Sequence, residues 1–261
     1  MSGRLDAELA ARGLARSRTH AARLVAEGRV RLDGTVASKA SARVRPEQEI
    51  EVDADHYVSR AAHKLIAGLN GFGVDPAGRI ALDMGASTGG FTQVLLERGA
   101  ARVAAVDVGH DQLAHELRED PRVAVVEGFN VRYMTGASLA AESGIEEAPG
   151  LVTGDLSFIS LTHVLPAVRA VMGEGADVVL LVKPQFEVGR TGIRGGIVVD
   201  GGRREKAVAD VLAQAEALGL IVHGLLPSPV EGTHGNREAL VHLRADGIPR
   251  AWTEEIRAAV R

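Results

Sequence analysis

The sequence predicts an α/β protein, with a mostly parallel sheet whose last strand is antiparallel, preceded by a small α+β unit. Three observations carry this expectation. Between residues 80 and 244, short apolar runs alternate with longer segments of helical periodicity, as in strands joined by crossover helices. The first run ends in a glycine turn, "DMGASTGG", that feeds an amphipathic segment. The first 50 or so residues follow a different pattern of short helices and a hairpin.

In the head, Leu5 and Leu9 lie one turn apart on a helix that stops near Gly13. Ser17 offers an N-cap for a second helix that buries Ala21, Leu24 and Val25 and ends at Gly28. "RVRLDGTVAS" alternates around Asp33 and Gly34 as a hairpin does, and "EIEV" supplies a further strand. Residues 1–55 thus form the small unit, 56–62 a linker, 63–246 the large domain and 247–261 a tail with a short helix and the single tryptophan, Trp252. Strands of the large domain are expected at "RIALDMG", "ARVAAVDVG", "VAVVEG", "GLVTGDLSF", "DVVLLVKPQF", "LIVHGLLPSP" and "EALVHLR". Only "SPVEGTHGNR" separates the last two, too little for a helical crossover, so they should pair antiparallel at one edge.

Composition narrows the function classes. The chain has 261 residues, 46% hydrophobic and 25% charged, as in an ordinary globular protein. It has no cysteine, which excludes disulfides, thiolate metal sites and thiol nucleophiles and fits a reducing compartment; a cytoplasmic location is expected. Its apolar runs fall well short of the roughly 20 residues of a membrane helix, so no membrane association is expected. Nine histidines lack metal-ligand spacing, and no metal is expected. The net charge of −4 is uneven: residues 1–45 hold ten Lys/Arg against four Asp/Glu. A basic head on an acidic body suggests a polyanion-binding module.

The pattern RLD, GLARSR, A..LV..G.V.LDG, K resembles the small RNA-binding domain first described in ribosomal protein S-four. The resemblance implies contacts to RNA phosphates from the second helix and the hairpin loop, a task suited to guanidinium groups. The candidates are Arg4, Arg16, Arg18, Arg23 and Lys39.

A strand, glycine turn and helix form a ligand site at the carboxyl end of an open α/β sheet. Dinucleotide and P-loop motifs need G-x-G-x-x-G or a lysine after the glycines; here Gly85 is followed by Ala86, Ser87, Thr88, Gly89, Gly90 and Phe91. Asp83 precedes the turn, and about one strand later Asp107, followed by Val108, is placed to accept hydrogens from a ribose diol. This arrangement resembles the S-adenosylmethionine site of Rossmann-like methyltransferases, and "DMGASTGGFT" is close to the signature of FtsJ-like ribose methyltransferases. On that resemblance S-adenosylmethionine is the cofactor, with Asn130 near the adenine and Asp155 and Phe158 beside the pocket.

Methylating a ribose hydroxyl requires orientation and stabilisation of developing negative charge, which ammonium groups supply while a carboxylate takes the proton or holds a lysine. Asp155 and Lys183 end apolar strands, Glu238 begins the antiparallel one, and Lys64 lies on a helix before the first strand. All four converge on one sheet edge, where opposite charges offset the cost of burial. In order they match the K-D-K-E tetrad of FtsJ-like ribose methyltransferases. Together with "YVSRAAHKL", "DLSFISL", "LVKPQFEVG", "GGIVVD" and "GNREAL", they resemble the TlyA family of hemolysin-like ribosomal RNA methyltransferases over positions 4 to about 244. The resemblance implies methyl transfer to cytidine 2′-hydroxyls of 16S and/or 23S ribosomal RNA, linked to capreomycin and viomycin sensitivity, with ribosomal RNA or ribosomal subunits as partner. Competing readings are a nicotinamide-dependent dehydrogenase, a membrane-active hemolysin and a non-catalytic ribosome-binding factor.

Overall fold

The computed structural model describes residues 3–15, 17–26, 28–52, 55–189 and 192–261. The chain divides into two compact units, Met1–His56 and Tyr57–Arg261.

In the first unit β1 (Gly3–Arg4) leads into α1 (Leu5–Ala11), and α2 (Arg18–Ala26) follows. Ser17 Oγ accepts the His20 N–H at 3.1 Å, satisfying an amide that the start of α2 leaves without a partner. β2 (Val30–Leu32) and β3 (Thr35–Val36) form the hairpin. Its two turn residues, Asp33 and Gly34, both have positive φ, 47° and 76°, as a two-residue turn matched to strand twist requires. Asp33 is held there by its side chain, which accepts the Glu49 N–H and the Gln48 amide. β4 (Arg43–Val44) pairs with β1, and β5 (Ile50–Val52) pairs with β2. The pair β1/β4 was not expected, since two residues are too few to show alternation. Leu5, Leu9, Ala21, Leu24, Val25, Val30 and Val44 fill the core.

The second unit opens with α3 (Ala61–Phe72), β6 (Ile80–Met84), α4 (Gly90–Glu97) and β7 (Arg102–Val106). It continues through α5 (His115–Arg118), β8 (Val123–Val126), α6 (Gly136–Ser143), β9 (Leu151–Gly154) and α7 (Leu165–Val171). β10 (Asp177–Val182), α8 (Pro184–Glu187), α9 (Gly201–Ala217), β11 (Ile221–Pro227), β12 (Ala239–Arg244) and α10 (Thr253–Val260) complete it. The sheet order is β11-β12-β10-β9-β6-β7-β8. β12 alone runs against its neighbours, and it lies between β10 and β11 rather than at the margin.

Successive strand residues face opposite layers. Val178, Leu180 and Val182 join one core with α7, α9 and α10, while Val179 and Leu181 join the other with α3 and α4. All six residues of β10 are buried, which is why it reads as a continuous apolar run.

Two boundary expectations meet a different arrangement. Within the segment 56–62 expected as a linker, Val58 is buried in the second unit's core and donates its N–H to Gln93 Oε1 at 2.8 Å. The tail is likewise packed: Trp252, Ile256, Ala259 and Val260 extend the core, and the Arg250 guanidinium lies 3.4 Å from the centre of the Trp252 ring. An apolar stripe on an eight-residue helix needs such a partner, since short helices gain most of their stability from packing.

Candidate active site

The strand order reverses between β6 and β9, and ligands of open α/β sheets bind outside the carboxyl ends of strands at such a point. There the turn after β6 takes a form that only glycine adopts without strain. Gly85 has φ 77°, and a Cβ on it would lie 3.1 Å from Leu156 Cδ2 and 3.2 Å from the Asp155 carbonyl. The turn's amides bond within the protein. Gly85 and Ala86 donate to the Val106 carbonyl at 2.8 and 3.1 Å, and Gly89 to the Ala86 carbonyl at 2.7 Å. Ser87 donates to Asp107 Oδ2 at 2.9 Å and Gly109 to Asp107 Oδ1 at 2.8 Å. These N–H groups are engaged by backbone carbonyls and by the Asp107 carboxylate, so they are not free to cradle a phosphate. Engaged amides argue against a turn built to hold a pyrophosphate.

A cavity of about 840 Å³ opens over the turn, walled by Gly85, Ser87, Asp107, Val108, Asn130 and Phe158 among others. Ala86, Thr88, Gly90 and Phe91 line a smaller adjoining space of about 170 Å³. Asn130 also accepts the Arg132 N–H at 3.0 Å, which fixes the segment after β8.

Two residues expected in the cofactor site lie outside these walls. Asp83 is fully buried beneath the turn, where its Oδ2 accepts the Thr92 hydroxyl at 2.7 Å. Burial pushes its carboxyl up to about 7, against the lowering effect of Thr92. Gly89 packs against Leu113 and Leu117, with positive φ at the start of α4. Both shape the turn from below, a role that sequence spacing does not separate from direct contact.

At the same sheet edge the four charged candidates meet. Lys64 Nζ lies 2.8 Å from Glu238 Oε2 and 3.5 Å from Asp155 Oδ2, and Lys183 Nζ lies 2.7 Å from Asp155 Oδ1. The chain runs Glu238, Lys64, Asp155, Lys183, so charges alternate and each cation has a carboxylate neighbour. The fold delivers each member. Val182 pairs with Ala239, setting Lys183 and Glu238 side by side just beyond their strands. Asp155 follows β9, and Gly68 lets α3 approach β10 and β12 closely enough to bring Lys64 over the edge, since a Cβ there would lie 3.2 Å from Val179. Exposure is graded: the side chains of Glu238 and Lys64 are 2% and 7% exposed, those of Lys183 and Asp155 9% and 14%. The second pair therefore forms the more open end.

Sequence spacing did not single out three further groups here. Gln185 donates to Glu238 Oε1 at 3.0 Å, so both oxygens of that carboxylate are engaged. Ser157 accepts from Lys183 at 2.9 Å. Phe186 lies 5.2 Å, centre to centre, from Phe158, which is 92% exposed with φ 65° and is not a core residue. Gln185 and Ser157 occupy the stretches "KPQFE" and "DLSFIS", but a lone polar residue in a loop carries no periodic signal. A second cavity, of about 480 Å³, is lined by Lys64, Asp155, Lys183, Gln185, Asn236 and Glu238 among others, and it shares Asp155, Ser157 and Phe158 with the large one.

In the first unit Asp6 is buried and binds two of the basic candidates. Arg4 Nε and Nη2 donate to its two oxygens at 3.0 Å each, and Arg18 Nη2 donates at 3.2 Å. The Arg4 hydrogen bond, followed by the contribution of Arg18, holds the Asp6 carboxyl well below the usual range against its desolvation. Arg23 and Lys39 are exposed, and Arg16 lies outside the described residues. Among the described residues, no group of three or more His, Asp or Glu could hold a metal ion, and no helix is long and apolar enough to cross a membrane.

Comparison with known proteins identifies the family and the fold. The sequence model of the FtsJ-like methyltransferases matches residues 57–245, and that of the S4 domain matches residues 3–50. The 16S/23S rRNA (cytidine-2'-O)-methyltransferase TlyA of Mycobacterium tuberculosis is 48% identical over 245 residues, covering 92% of this chain and 89% of that protein. Hemolysin A of Brachyspira hyodysenteriae is 36% identical, covering 92% and 98%. A solved structure described as a hemolysin, from Streptococcus thermophilus, matches with a TM-score of 0.78 at 38% identity, over 99% of this chain and 94% of that one. The chain therefore belongs to the FtsJ-like methyltransferase family, within its TlyA group, and carries an S4 domain ahead of the methyltransferase segment.

Proposed function

We propose that the protein uses S-adenosylmethionine to methylate cytidine ribose 2′-hydroxyls of ribosomal RNA, which its S4 domain binds. The observation that carries this reading is the buried alternating tetrad at the junction of two cavities, one of cofactor size and one open for an acceptor. The residues of the large cavity fit S-adenosylmethionine. Asp107 is a hydrogen acceptor for a ribose diol, Val108 and Phe129 offer apolar surface to a purine, and the internally bonded turn suits a cofactor without phosphate.

When bound, the cofactor supplies an electrophilic methyl group on a sulfonium sulfur. The tetrad prepares the oxygen that attacks it. An ammonium has three N–H donors; one from Lys183 goes to Ser157 and one faces Asp155, leaving a third for the incoming 2′-oxygen. That donor orients the hydroxyl and stabilises its developing negative charge. Asp155 takes the hydroxyl proton, which leaves the oxygen a lone pair for the new bond to carbon. Lys64 and Glu238, the more buried pair, fix the second Asp155 oxygen and keep the cluster neutral overall.

The name of the M. tuberculosis relative supports ribosomal RNA as the substrate and cytidine 2′-oxygen as the target. The hemolysin name belongs to other relatives, and the tetrad and cofactor-sized cavity favour methyl transfer here. The test is incubation with labelled S-adenosylmethionine and unmodified 30S or 50S subunits. Incorporation into RNA that disappears in Lys183→Ala is expected; equal incorporation by that variant would refute the assigned chemistry.

A further inference from the structure

Ser157 lies where the three cavities meet: it lines the spaces of about 840, 480 and 170 Å³, as does Asp155. Unlike the tetrad it is exposed, although it bonds directly to buried Lys183 at 2.9 Å.

The direction of that bond has a consequence. A serine hydroxyl has one donor and two acceptor sites, and an ammonium only donates. Lys183 therefore occupies an acceptor site on Ser157 Oγ, and the serine O–H must point elsewhere. Among the hydrogen bonds of the described residues, Ser157 Oγ donates to no protein acceptor. Its proton is available to whatever occupies the junction, and the adjacent positive charge polarises it into a stronger donor.

We propose that Ser157 is a further catalytic residue, whose hydroxyl donates to the acceptor ribose 2′-oxygen while the methyl group adds. The ribose proton passes first to Asp155; the alkoxide oxygen then has three lone pairs, two accepting from Ser157 and from the third N–H of Lys183 and one attacking the methyl carbon, whose bond to the sulfonium sulfur breaks. No bond to Ser157 forms or breaks. This inference rests on the ribose-methylation reading above.

The test compares the full-length protein with Ser157→Ala and Ser157→Thr, using ribosomal subunits and labelled S-adenosylmethionine, with cofactor affinity measured separately by calorimetry. Removing one such donor costs about 100-fold in kcat, so Ser157→Ala should lose on the order of that factor, with KM for subunits and cofactor Kd within about twofold. Ser157→Thr, which keeps the hydroxyl, should recover most of the loss. A purely structural serine would instead change Kd or thermal stability, and the threonine variant, which adds a methyl, would not rescue. Full kcat in Ser157→Ala, or a loss confined to cofactor Kd, overturns this inference alone. Cofactor binding without any methylation of RNA by the unaltered protein overturns both this inference and the reading beneath it.

Discussion

Removing Glu238 should destabilise the protein more than removing Glu238 and Lys64 together. Glu238 is 2% exposed and receives hydrogen bonds from Lys64 and Gln185, at 2.8 and 3.0 Å. Glu238→Ala leaves a buried ammonium whose remaining carboxylate neighbour, Asp155, is at 3.5 Å and shared with Lys183. Breaking a buried pair costs about 3–5 kcal/mol, and the residual attraction to Asp155 places this case at about 3 kcal/mol, near the lower end of that range. For a domain of this size each kcal/mol lowers Tm by about 2–4 °C, giving a drop of about 6–12 °C. Replacing both partners with apolar residues, Lys64→Met with Glu238→Leu, removes the stranded charge and should recover at least half of the loss. Activity should not recover, because Lys64 is gone. The assay is thermal unfolding of the single and double variants alongside methyl transfer. A double variant as unstable as Glu238→Ala would refute the argument that stranded charge dominates the cost.

Three further predictions follow from named contacts. The Asp83 carboxyl, pushed by burial from 3.8 to about 7 in the folded state, binds a proton that the unfolded chain has already released. Stability should therefore fall as pH rises from about 4 to about 7 and then level off, and Asp83→Asn should reduce that slope in urea titrations; an unchanged slope would contradict the assignment. Gly85→Ala imposes a side chain at φ 77°, at a cost of about 1–2 kcal/mol, and crowds the Asp155 carbonyl. Calorimetry should show weakened S-adenosylmethionine binding, and unchanged affinity would mean the turn does not approach the cofactor. Asp6→Asn makes the S4 domain more positive, which by charge alone would tighten RNA binding. If Asp6 instead pre-aligns Arg4 and Arg18 for phosphates, affinity should fall, by about tenfold for one lost charge-assisted bond, and tightening would refute the positioning role.

The strands were legible because burial on both faces leaves an unmistakable trace: the six residues of β10 are all apolar but the first. The tetrad was legible for a related reason. Asp155, Lys183 and Glu238 stand where apolar runs break, and the reversal of β12 places its first residues beside the last of β10. Polar groups recognised only by a contact distant in sequence were not legible. Ser157 and Gln185 gain their meaning from Lys183 and Glu238, which lie 26 and 53 residues away. Asp83 shows the opposite limit: its place before the glycine turn suggested cofactor contact, but the β6 alternation that puts Leu82 and Met84 in one core points Asp83 into the other layer, toward Thr92. The packing of Val58 and of the helix after Trp252 was missed because short apolar stripes do not reveal their partner.

The central claim is ribose methylation, and the identity of the product tests it most directly. Unmodified ribosomal subunits labelled from S-adenosylmethionine would be digested to nucleosides and the labelled species identified. The account predicts 2′-O-methylcytidine, absent when Lys183→Ala replaces the unaltered protein. Label on a base carbon or nitrogen, with the ribose unmodified, would contradict it, because the Lys183–Asp155 arrangement would then be serving a different nucleophile.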